Sequence, residues 1–412
     1  MERQRALYLS SSIGLGHVTR DLAIAAELRR LAPELEILWL AAPPASDALR
    51  AAGENVLAEA SEWRGASRIA ERCMSHGRLD LVHYVYRSLP AWAMNARLFR
   101  RVIDHYGVDI AIGDEAFEVS VPLVEHVLRL KVPFVMIFDF VGTDAMTGAV
   151  HDRVGAWLLN ALWPLDRLVY ARGPHSALFI GELEDIPCKP FGLGLPNRGK
   201  HAQEDYLIVG HALGFDPDDY TDPHAWRRQL GYGDEPLVVC SVGGTSVGRE
   251  LLELCAAAAD SLRERVPDVR VVLVAGPRIA VDSVRARGCE VLGNVPRLYE
   301  LFASSDVAVV QCGGTTTTEL AALGRRFIYA PIEGHFEQEV IARRLERHGV
   351  GRRMSLRATT AEALAQMIFE ELGQYGQRGS MPLEGASKAA QHILATLEKA
   401  RASPAHPTTA AA

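Results

Sequence analysis

The sequence has little that would mark a membrane protein, a disulfide-rich secreted protein or a nucleic-acid-binding protein. No apolar run approaches the roughly 18 residues that a membrane-spanning helix needs. Six cysteines are scattered without a C-x-x-C pair or a His/Cys cluster, which indicates neither a zinc site nor a disulfide framework. The 44 Lys and Arg residues against 51 Asp and Glu leave a net charge of −7, whereas nucleic-acid binding favours a basic surface. The N-terminal residues lack a signal-peptide pattern, so we expect a cytoplasmic protein.

The chain has 412 residues, 48% of them hydrophobic, which suffices for two or three globular domains. Short apolar runs alternate with longer amphipathic stretches, as in parallel βαβ units with buried strands. A first series predicts strands over residues 6–10, 36–41, 109–112, 133–138 and 167–170. A second series predicts strands over residues 237–242, 269–275, 290–292, 307–311 and 327–330. We therefore predict an α/β fold of two doubly wound, Rossmann-like domains.

A stretch rich in glycine, proline and turn-forming residues separates the two series and places the domain boundary within 208–222. We predict an N-terminal domain over 1–212 and a C-terminal domain over 213–401. The last predicted helix, 384–401, is free to pack back on the N-terminal domain. The low-complexity tail, 402–412, is expected to be disordered. Ligands of such domains bind at the carboxyl ends of the strands, so the cleft between the domains is the expected site.

The loop after the first predicted strand holds a candidate catalytic residue, His17. Gly14 and Gly16 suggest a G-x-G-x-x-G dinucleotide fingerprint, but Thr19 stands at the third glycine position. The second predicted strand also ends without an acidic residue for a ribose, so a hydride-transfer enzyme is disfavoured. A helix N-terminus favours a neutral imidazole, as a general base requires. The alternative interpretation of His17 is an ordinary loop residue.

Asp114 follows the third predicted strand and belongs at the same sheet edge as His17. A carboxylate there can hold the far ring nitrogen of the histidine and stabilise the imidazolium that forms. The alternative is a helix N-cap, a position that aspartate commonly fills. The two interpretations are compatible.

Two loops of the C-terminal half carry glycines and hydroxyl groups at the start of predicted helices. Gly244 and Thr245 lie in the segment SVGGTS, where backbone N–H groups can approach phosphate oxygens, although a plain turn is the alternative. The segment 309–319, VVQCGGTTTTE, ends a strand in two glycines and four threonines, which suits a diphosphate. Glu319 closes this segment and can accept hydrogen bonds from two ribose hydroxyls.

With these motifs the chain resembles the GT-B-fold glycosyltransferases that use UDP-sugars. The peptidoglycan lipid I N-acetylglucosaminyltransferases and related bacterial enzymes are the most similar in pattern. The segment GHVTR (16–20) matches their N-terminal loop, and 311–319 matches their nucleotide-binding run, H-C-G-W-N-S-T-x-E. Gln311 replaces the histidine of plant enzymes, and the base-stacking tryptophan is missing, which leaves UDP, TDP and GDP open.

The resemblance implies roles for individual residues. His17 would be the catalytic base and Asp114 its supporting aspartate. Glu337 and Gln338 would bind the donor sugar, and Val295 and Arg297 would lie near the nucleotide base. The full donor-binding set is Gly16, Gly244, Thr245, Val295, Arg297, Gly313, Gly314, Thr315, Thr316, Thr317, Glu319, Glu337 and Gln338.

The acceptor is expected to contact the N-terminal domain. Trp63, Tyr84 and Trp92 can line an apolar acceptor pocket, and Asp139 and Asp144 flank the predicted cleft. The alternative for the aromatic residues is packing in the hydrophobic core.

The expected reaction is transfer of a sugar from a nucleotide-sugar co-substrate, a UDP-sugar, to a hydroxyl of a small-molecule or lipid-linked acceptor. The resemblance implies inversion and a mechanism without metal or cofactor. We expect no nucleic-acid partner and no transmembrane segment, while peripheral membrane contact and the oligomeric state stay open. Two alternatives remain: a GT-B-fold UDP-sugar epimerase or phosphorylase, and a non-catalytic sugar-nucleotide-binding partner protein.

Overall fold

Buried apolar runs form the strands of two parallel sheets. The computed structural model describes residues 4–402 apart from 13, 66–68, 70–71, 76–77, 80, 125–127, 171–173, 245–247 and 375. The tail expected over 402–412 lies outside this range except for Ala402. The strands are β1 (Arg5–Leu9), β2 (Glu36–Leu40), β3 (Met74–Ser75), β4 (Arg78–Leu79), β5 (Ile110–Asp114), β6 (Phe134–Phe138), β7 (Ser176–Ile180), β8 (Leu207–Gly210), β9 (Leu237–Ser241), β10 (Arg270–Val274), β11 (Glu290–Leu292), β12 (Val307–Gln311), β13 (Arg326–Ala330) and β14 (Arg352–Arg353).

Helices follow most of the strands and cover the sheets. They are α1 (Leu15–Leu31), α2 (Ala45–Ala51), α3 (Leu81–Tyr106), α4 (Phe117–Val124), α5 (Val150–Leu162), α6 (Arg167–Tyr170), α7 (Arg198–Asp205), α8 (Pro223–Gln229), α9 (Arg249–Arg263), α10 (Leu298–Ser304), α11 (Gly314–Ala322), α12 (Phe336–Arg347), α13 (Ala361–Glu371) and α14 (Gly385–Ala402). Within the described ranges, no helix combines the length and apolar character needed to cross a membrane.

The order of the strands fixes where loops meet. The first sheet runs β2-β1-β5-β6-β7-β8 and the second β11-β10-β9-β12-β13-β14, each parallel, while β3 and β4 form a separate antiparallel pair. The winding reverses between β1 and β5 in the first sheet and between β9 and β12 in the second. Doubly wound domains bind ligands at such switch points, beyond the carboxyl ends of the strands. The loops after β1, β5, β9 and β12 therefore mark the candidate site.

Alternate residues of the central strands face two separate cores, because helices cover both faces of each sheet. In β1, Leu7 and Leu9 face one core while Ala6 and Tyr8 face the other. Helix α14 comes last in the chain, yet its apolar stripe lies in the core that contains Tyr8. The members of that stripe are Ala386, Ala389, Ala390, Ile393 and Leu397. After the second sheet the chain thus returns to the first domain, where its last described helix, α14, packs against α1.

Most predicted strands agree with the structure to within two residues, but the strand predicted over 167–170 is wrong. These residues form helix α6 directly after a 3-10 turn that contains Pro164, and the next strand is β7. A four-residue apolar run has too few positions to separate a helical period from a strand period. The sequence pattern also missed β8, whose first residue, Leu207, is exposed.

Candidate active site

His17 and Asp114 meet at the switch point of the first sheet. His17 lies in the first turn of α1, and Asp114 is the last residue of β5. The distance from His17 Nδ1 to Asp114 Oδ2 is 2.9 Å, and the carboxylate is buried. An Nδ1–H that donates to this carboxylate leaves the Nε2 lone pair free for a proton. The pair therefore has the geometry of a base and the aspartate that orients it.

Arg20 completes this pair, and the sequence interpretation missed it. One helical turn beyond His17, its guanidinium forms ion pairs with both Asp114 and Asp139. Burial opposes ionisation of the two aspartates, but Arg20 and His17 outweigh it and lower the pKa of each. Arg20 Nη2 also lies 2.8 Å from His17 Nδ1. Because a guanidinium only donates hydrogen bonds, this contact forms with the other histidine tautomer and competes with the bond from Nδ1–H to Asp114. The spacing of three residues within GHVTR was the signal that could have identified Arg20.

Glu115 turns the chain sharply beside the base. Its φ of 49° lies in the left-handed region, which costs a non-glycine residue about 1–2 kcal/mol. Oε2 lies 3.8 Å from His17 Nε2, and Oε1 has no hydrogen-bond partner among the described residues. Burial, followed by the charge of Asp139, raises the pKa of Glu115 well above its ordinary value. Strain and an unpaired buried oxygen at one residue are features of functional sites.

The two glycine-rich loops of the second domain approach the base loop across the cleft. Gly313 precedes α11, and no side chain caps the first-turn N–H groups of that helix. The Thr315 hydroxyl donates to the Gly16 carbonyl over 3.1 Å. A Cβ built on Gly244 would lie 3.1 Å from the backbone nitrogen of Leu15. Uncapped N–H groups at a helix start suit an anion such as a diphosphate.

Two of the threonines expected at the diphosphate need separate comment. Thr316 is half-buried at the start of α11, whereas Thr317 is fully buried. The Thr317 hydroxyl donates to the Gly313 carbonyl over 2.8 Å, so it stabilises the loop, and its contact with a diphosphate stays a prediction. Thr245 lies outside the described residues.

Glu319 is a buried acid on α11. Only 5% of it is exposed, and burial raises its pKa to about 8. Within the described ranges, no side chain compensates this carboxyl with a hydrogen bond or an ion pair. A ligand that donates hydrogen bonds to Glu319 would therefore supply the hydrogen-bond donors that this carboxyl group lost when folding removed it from water.

The acid-amide loop at the start of α12 also faces the first domain. The Phe336 ring packs edge-on against Phe140, with centroids 5.6 Å apart. Burial and the nearby charge of Asp139 raise the pKa of Glu337 to about 7. Gln338 Oε1 accepts from the Ile332 N–H over 2.8 Å, so its amide nitrogen is the group left for a ligand.

Val295 and Arg297, the two residues expected near the nucleotide base, have different surroundings. Val295 is half-buried against the second core of the C-terminal domain. Arg297 precedes α10 with a φ of 53°, and its exposed guanidinium pairs with Glu300 and the Tyr299 hydroxyl. The side chain of Arg297 thus fixes the start of α10, and its place near a nucleotide base stays a prediction.

The predicted acceptor residues divide into two groups. Trp63, Tyr84 and Trp92 line one cavity beside Asp114 and Glu115, although Trp63 also belongs to the first hydrophobic core. The aromatic residues therefore lie together next to the base.

Asp139 and Asp144 have other partners. Asp139 pairs with Arg20 inside the catalytic cluster. Asp144, predicted to contact the acceptor, instead pairs with Lys189 at 2.6 Å and Arg198 at 2.9 Å. Its carboxylate holds its own loop in place, and contact with an acceptor stays a prediction.

Two acidic groupings could suggest a metal. The sequence contains one D-x-D triplet, Asp216-Pro217-Asp218, but Asp216 caps a 3-10 turn of the linker and Asp218 pairs with Arg378. Glu182, Asp185 and His211 could each direct one ligand atom to a common point, since those atoms lie within 4.8 Å of one another. However, Arg347 donates to both carboxylates at 2.8 Å and already supplies the positive charge.

Comparisons with known proteins find similar glycosyltransferases. Residues 238–396 match the glycosyltransferase family 28 C-terminal domain. An uncharacterised glycosyltransferase of Methanopyrus kandleri is 27% identical over 301 residues, which are 73% of this chain and 79% of that protein. A UDP-N-acetylglucosamine–N-acetylmuramyl-(pentapeptide) pyrophosphoryl-undecaprenol N-acetylglucosamine transferase of Mycolicibacterium vanbaalenii is 29% identical over 290 residues, 68% of this chain and 63% of that protein. The crystal structure of the glycotransferase of kitacinnamycin matches with a TM-score of 0.56 and 14% identity, over 97% of this chain and 96% of that one.

The GT-B fold predicted from the sequence is confirmed by the structural match. The predicted class, a glycosyltransferase, is confirmed by the domain match and the sequence relatives. A glycosyltransferase takes a sugar donor and an acceptor, and the cleft between the two sheets is where both are expected.

Proposed function

We propose that this protein transfers a sugar from a UDP-sugar to a hydroxyl group of its acceptor, with inversion and without a metal ion. The observation that carries the proposal is the contact between Gly16 and Thr315, which brings the base loop onto the uncapped start of α11. A base in one domain and a diphosphate site in the other are thereby held together. The UDP donor named for the Mycolicibacterium relative supports the choice of nucleotide.

The reaction proposed is a single displacement at the anomeric carbon. The acceptor hydroxyl loses its proton to His17 Nε2 while its oxygen forms the new bond to that carbon. The bond from the same carbon to the diphosphate breaks, and its electron pair leaves with the nucleoside diphosphate. Asp114 stabilises the imidazolium that forms. Attack from the face opposite the leaving group gives inversion.

Charge on the leaving diphosphate is met by dipoles of the second domain. The N–H groups of Gly314, Thr315 and Thr316, which receive no side-chain cap within the described residues, lie at the positive end of α11. Such preorganised donors stabilise charge that develops in the transition state. Glu319 would accept hydrogen bonds from the ribose, and Glu337 with Gln338 would bind hydroxyls of the sugar. The proposed mechanism therefore needs no cation at the phosphates, and we expect EDTA to leave the rate unchanged.

The test compares His17→Ala with His224→Ala, an exposed histidine of the second domain. Release of UDP from UDP-N-acetylglucosamine and UDP-glucose is measured with a panel of hydroxyl acceptors. Loss of a general base lowers turnover about 10²–10⁴-fold, and we expect this for His17→Ala with an unchanged UDP affinity. His224→Ala should match the wild type. Full turnover in His17→Ala would refute the base, and failure of UDP to raise the melting temperature would refute the donor site.

A further inference from the structure

A cavity next to the base has an unusual lining. Its walls are the aromatic side chains Trp63, Tyr84 and Trp92, and its remaining polar groups include Glu115 and Glu118. No lysine or arginine is among the described residues that line it. Asp114 also lines the cavity, but its carboxylate already pairs with Arg20. An aromatic box with two further carboxyl groups and no cation in its described lining is a chemical environment with its own preference.

The two glutamates are poorly compensated. Glu115 is 8% exposed, and its Oε1 faces no hydrogen-bond donor among the described residues. The Asn95 amide, 3.4 Å away, is a weak donor to Glu118. Burial raises the pKa of Glu118 to about 7. Buried acids of this kind are stabilised when a positive charge arrives and destabilised when a second negative charge does.

The surroundings of the cavity increase this preference. Arg20 pairs with Asp114, which lines the cavity, and also with Asp139, so its positive charge is already shared between two aspartates. Burial raises the pKa of Tyr84, and the nearby charges of Glu118 and Glu115 raise it further. The faces of aromatic rings attract cations, most strongly in desolvated sites. A neutral hydroxyl ligand would use the rings but leave the acids unpaired.

We propose that this cavity binds a protonated amine of the acceptor, which makes the acceptor an amino alcohol or amino sugar. This inference rests on the proposed transfer to an acceptor hydroxyl. Glu115 lines the cavity, and its Oε2 lies 3.8 Å from His17 Nε2. Only the Glu115 carboxyl group therefore separates an amine in the cavity from the acceptor hydroxyl oxygen that reacts at His17. That separation suits an amine and a hydroxyl on neighbouring carbons.

The experiment uses two matched probes, trans-2-aminocyclohexanol and trans-1,2-cyclohexanediol, which share a ring and a hydroxyl but differ in the ammonium group. Affinity is measured by calorimetry on the full chain saturated with UDP, at a pH where the amine is protonated. UDP release from UDP-glucose is measured with each probe as acceptor. We expect the amino alcohol to bind at least about tenfold tighter than the diol and to be the better acceptor.

Two variants assign the preference to the cavity. Glu118→Gln should reduce the ratio of the two affinities to near one, and Trp92→Leu should reduce it in part, while both retain UDP binding. Glu62→Gln is the control, because Glu62 is exposed and pairs with Arg101. Equal binding of the probes, a preference unchanged in Glu118→Gln, or preference for the anionic analogue trans-2-hydroxycyclohexanecarboxylate would overturn the inference. If the wild-type protein does not bind UDP, the proposed function itself is refuted.

Discussion

Arg20 is the residue on which the catalytic cluster depends most. It is 6% exposed and pairs with Asp114 and Asp139, which are themselves buried or nearly so. Removing one partner of a buried ion pair leaves an uncompensated charge and costs about 3–5 kcal/mol. We expect Arg20→Met to lower the free energy of unfolding by about that amount in urea denaturation at neutral pH.

A pH series adds a second check on Arg20. The folded state lowers the pKa of both aspartates, so their stabilising contribution is present above the ordinary aspartate value and is lost as the pH falls below it. The difference between wild type and Arg20→Met should therefore shrink in acid. Arg30→Met is the control on the same helix, because Arg30 forms an exposed pair with Glu27 and the substitution should leave stability close to that of the wild type. Equal effects of the two substitutions would contradict the role of Arg20.

Glu319 shows a conflict between stability and ligand binding. Its pKa of about 8 in the folded chain exceeds the ordinary glutamate value, so folding favours the protonated form. Stability from this residue is present at acid pH and is lost as the pH rises through about 8. We expect Glu319→Gln to melt higher than the wild type at alkaline pH and to lose this advantage near pH 5.

The same substitution should weaken UDP binding about tenfold, because a carboxyl group whose two oxygens can both accept hydrogen bonds from the ribose is replaced by an amide with one accepting oxygen. Comparison of UDP with its 2′-deoxy analogue isolates the ribose contact: the wild type should prefer UDP, and the variant should not. A melting-temperature difference that does not change with pH would show that burial of this carboxyl is not the cause.

At the scale of the elements, the sequence was most informative where structure is local. Buried strands appear as continuous apolar runs. The strand ends and helix starts beyond them hold His17, Asp114, Gly313 and Glu319 at the expected sheet edges. The sequence does not show which side chains that are far apart along the chain pair with one another. Arg20 looks like an ordinary charged helix residue until β5 and β6 place two aspartates beside it.

Other misses have the same physical origin. The sequence does not reveal that Asp144 would meet two cations brought by the 189–198 segment, or that the Thr317 hydroxyl would turn back to its own helix. Nor does it reveal the left-handed φ of Glu115, which depends on how β5 joins α4. Each of these depends on a partner that only the tertiary fold supplies.

The contact between the loop after β1 and the start of α11 can be tested directly. A Cβ at Gly16 would lie 2.7 Å from Thr315 Oγ1, which is closer than atoms normally pack. We expect Gly16→Ala to push the base loop away from the diphosphate loop. A displacement of about 1 Å at reacting groups can lower the rate about 10²-fold, and kcat/KM is the quantity to measure.

Two further variants separate the contact from a general loop effect. Gly14→Ala should change little, because a Cβ there meets nothing within 4 Å. Removing the threonine side chain in the double variant Gly16→Ala with Thr315→Ala should recover part of the activity. If Gly14→Ala is as damaging as Gly16→Ala, backbone flexibility of the loop is responsible rather than the contact.

At the scale of the whole molecule, a second cluster of charges joins the domains behind the cleft. Glu182 and Asp185 of the first domain bind Arg347 and His348 at the end of α12. Helix α12 begins next to Glu337 and is about 18 Å long at 1.5 Å per residue. The helix therefore connects the charge cluster to the loop proposed to bind the donor sugar.

This cluster should control how firmly the two domains close. Partial burial opposes ionisation of Glu182, but His211 at 3.8 Å and the hydrogen bonds from His348 and Arg347 lower its pKa to about 2. The contribution of Glu182 to stability is present when the pH is above the ordinary pKa of glutamate, and it is lost as the pH falls towards about 2. We expect Arg347→Ala and Glu182→Gln each to raise the KM for the nucleotide sugar and to increase the radius of gyration measured by small-angle scattering.

A double-mutant cycle between Arg347→Ala and Glu182→Gln decides whether the contact itself is responsible. Residues in one ion-pair network typically couple by about 0.5–3 kcal/mol, so the double variant should be less impaired than the sum of the single variants. Arg101→Ala is the control, because its exposed pair with Glu62 lies within the first domain and should leave KM and the radius of gyration unchanged. Strictly additive effects on KM, with no change in the radius of gyration, would mean that domain closure depends on the cleft loops alone, with Gly16 and Thr315 as its principal contact.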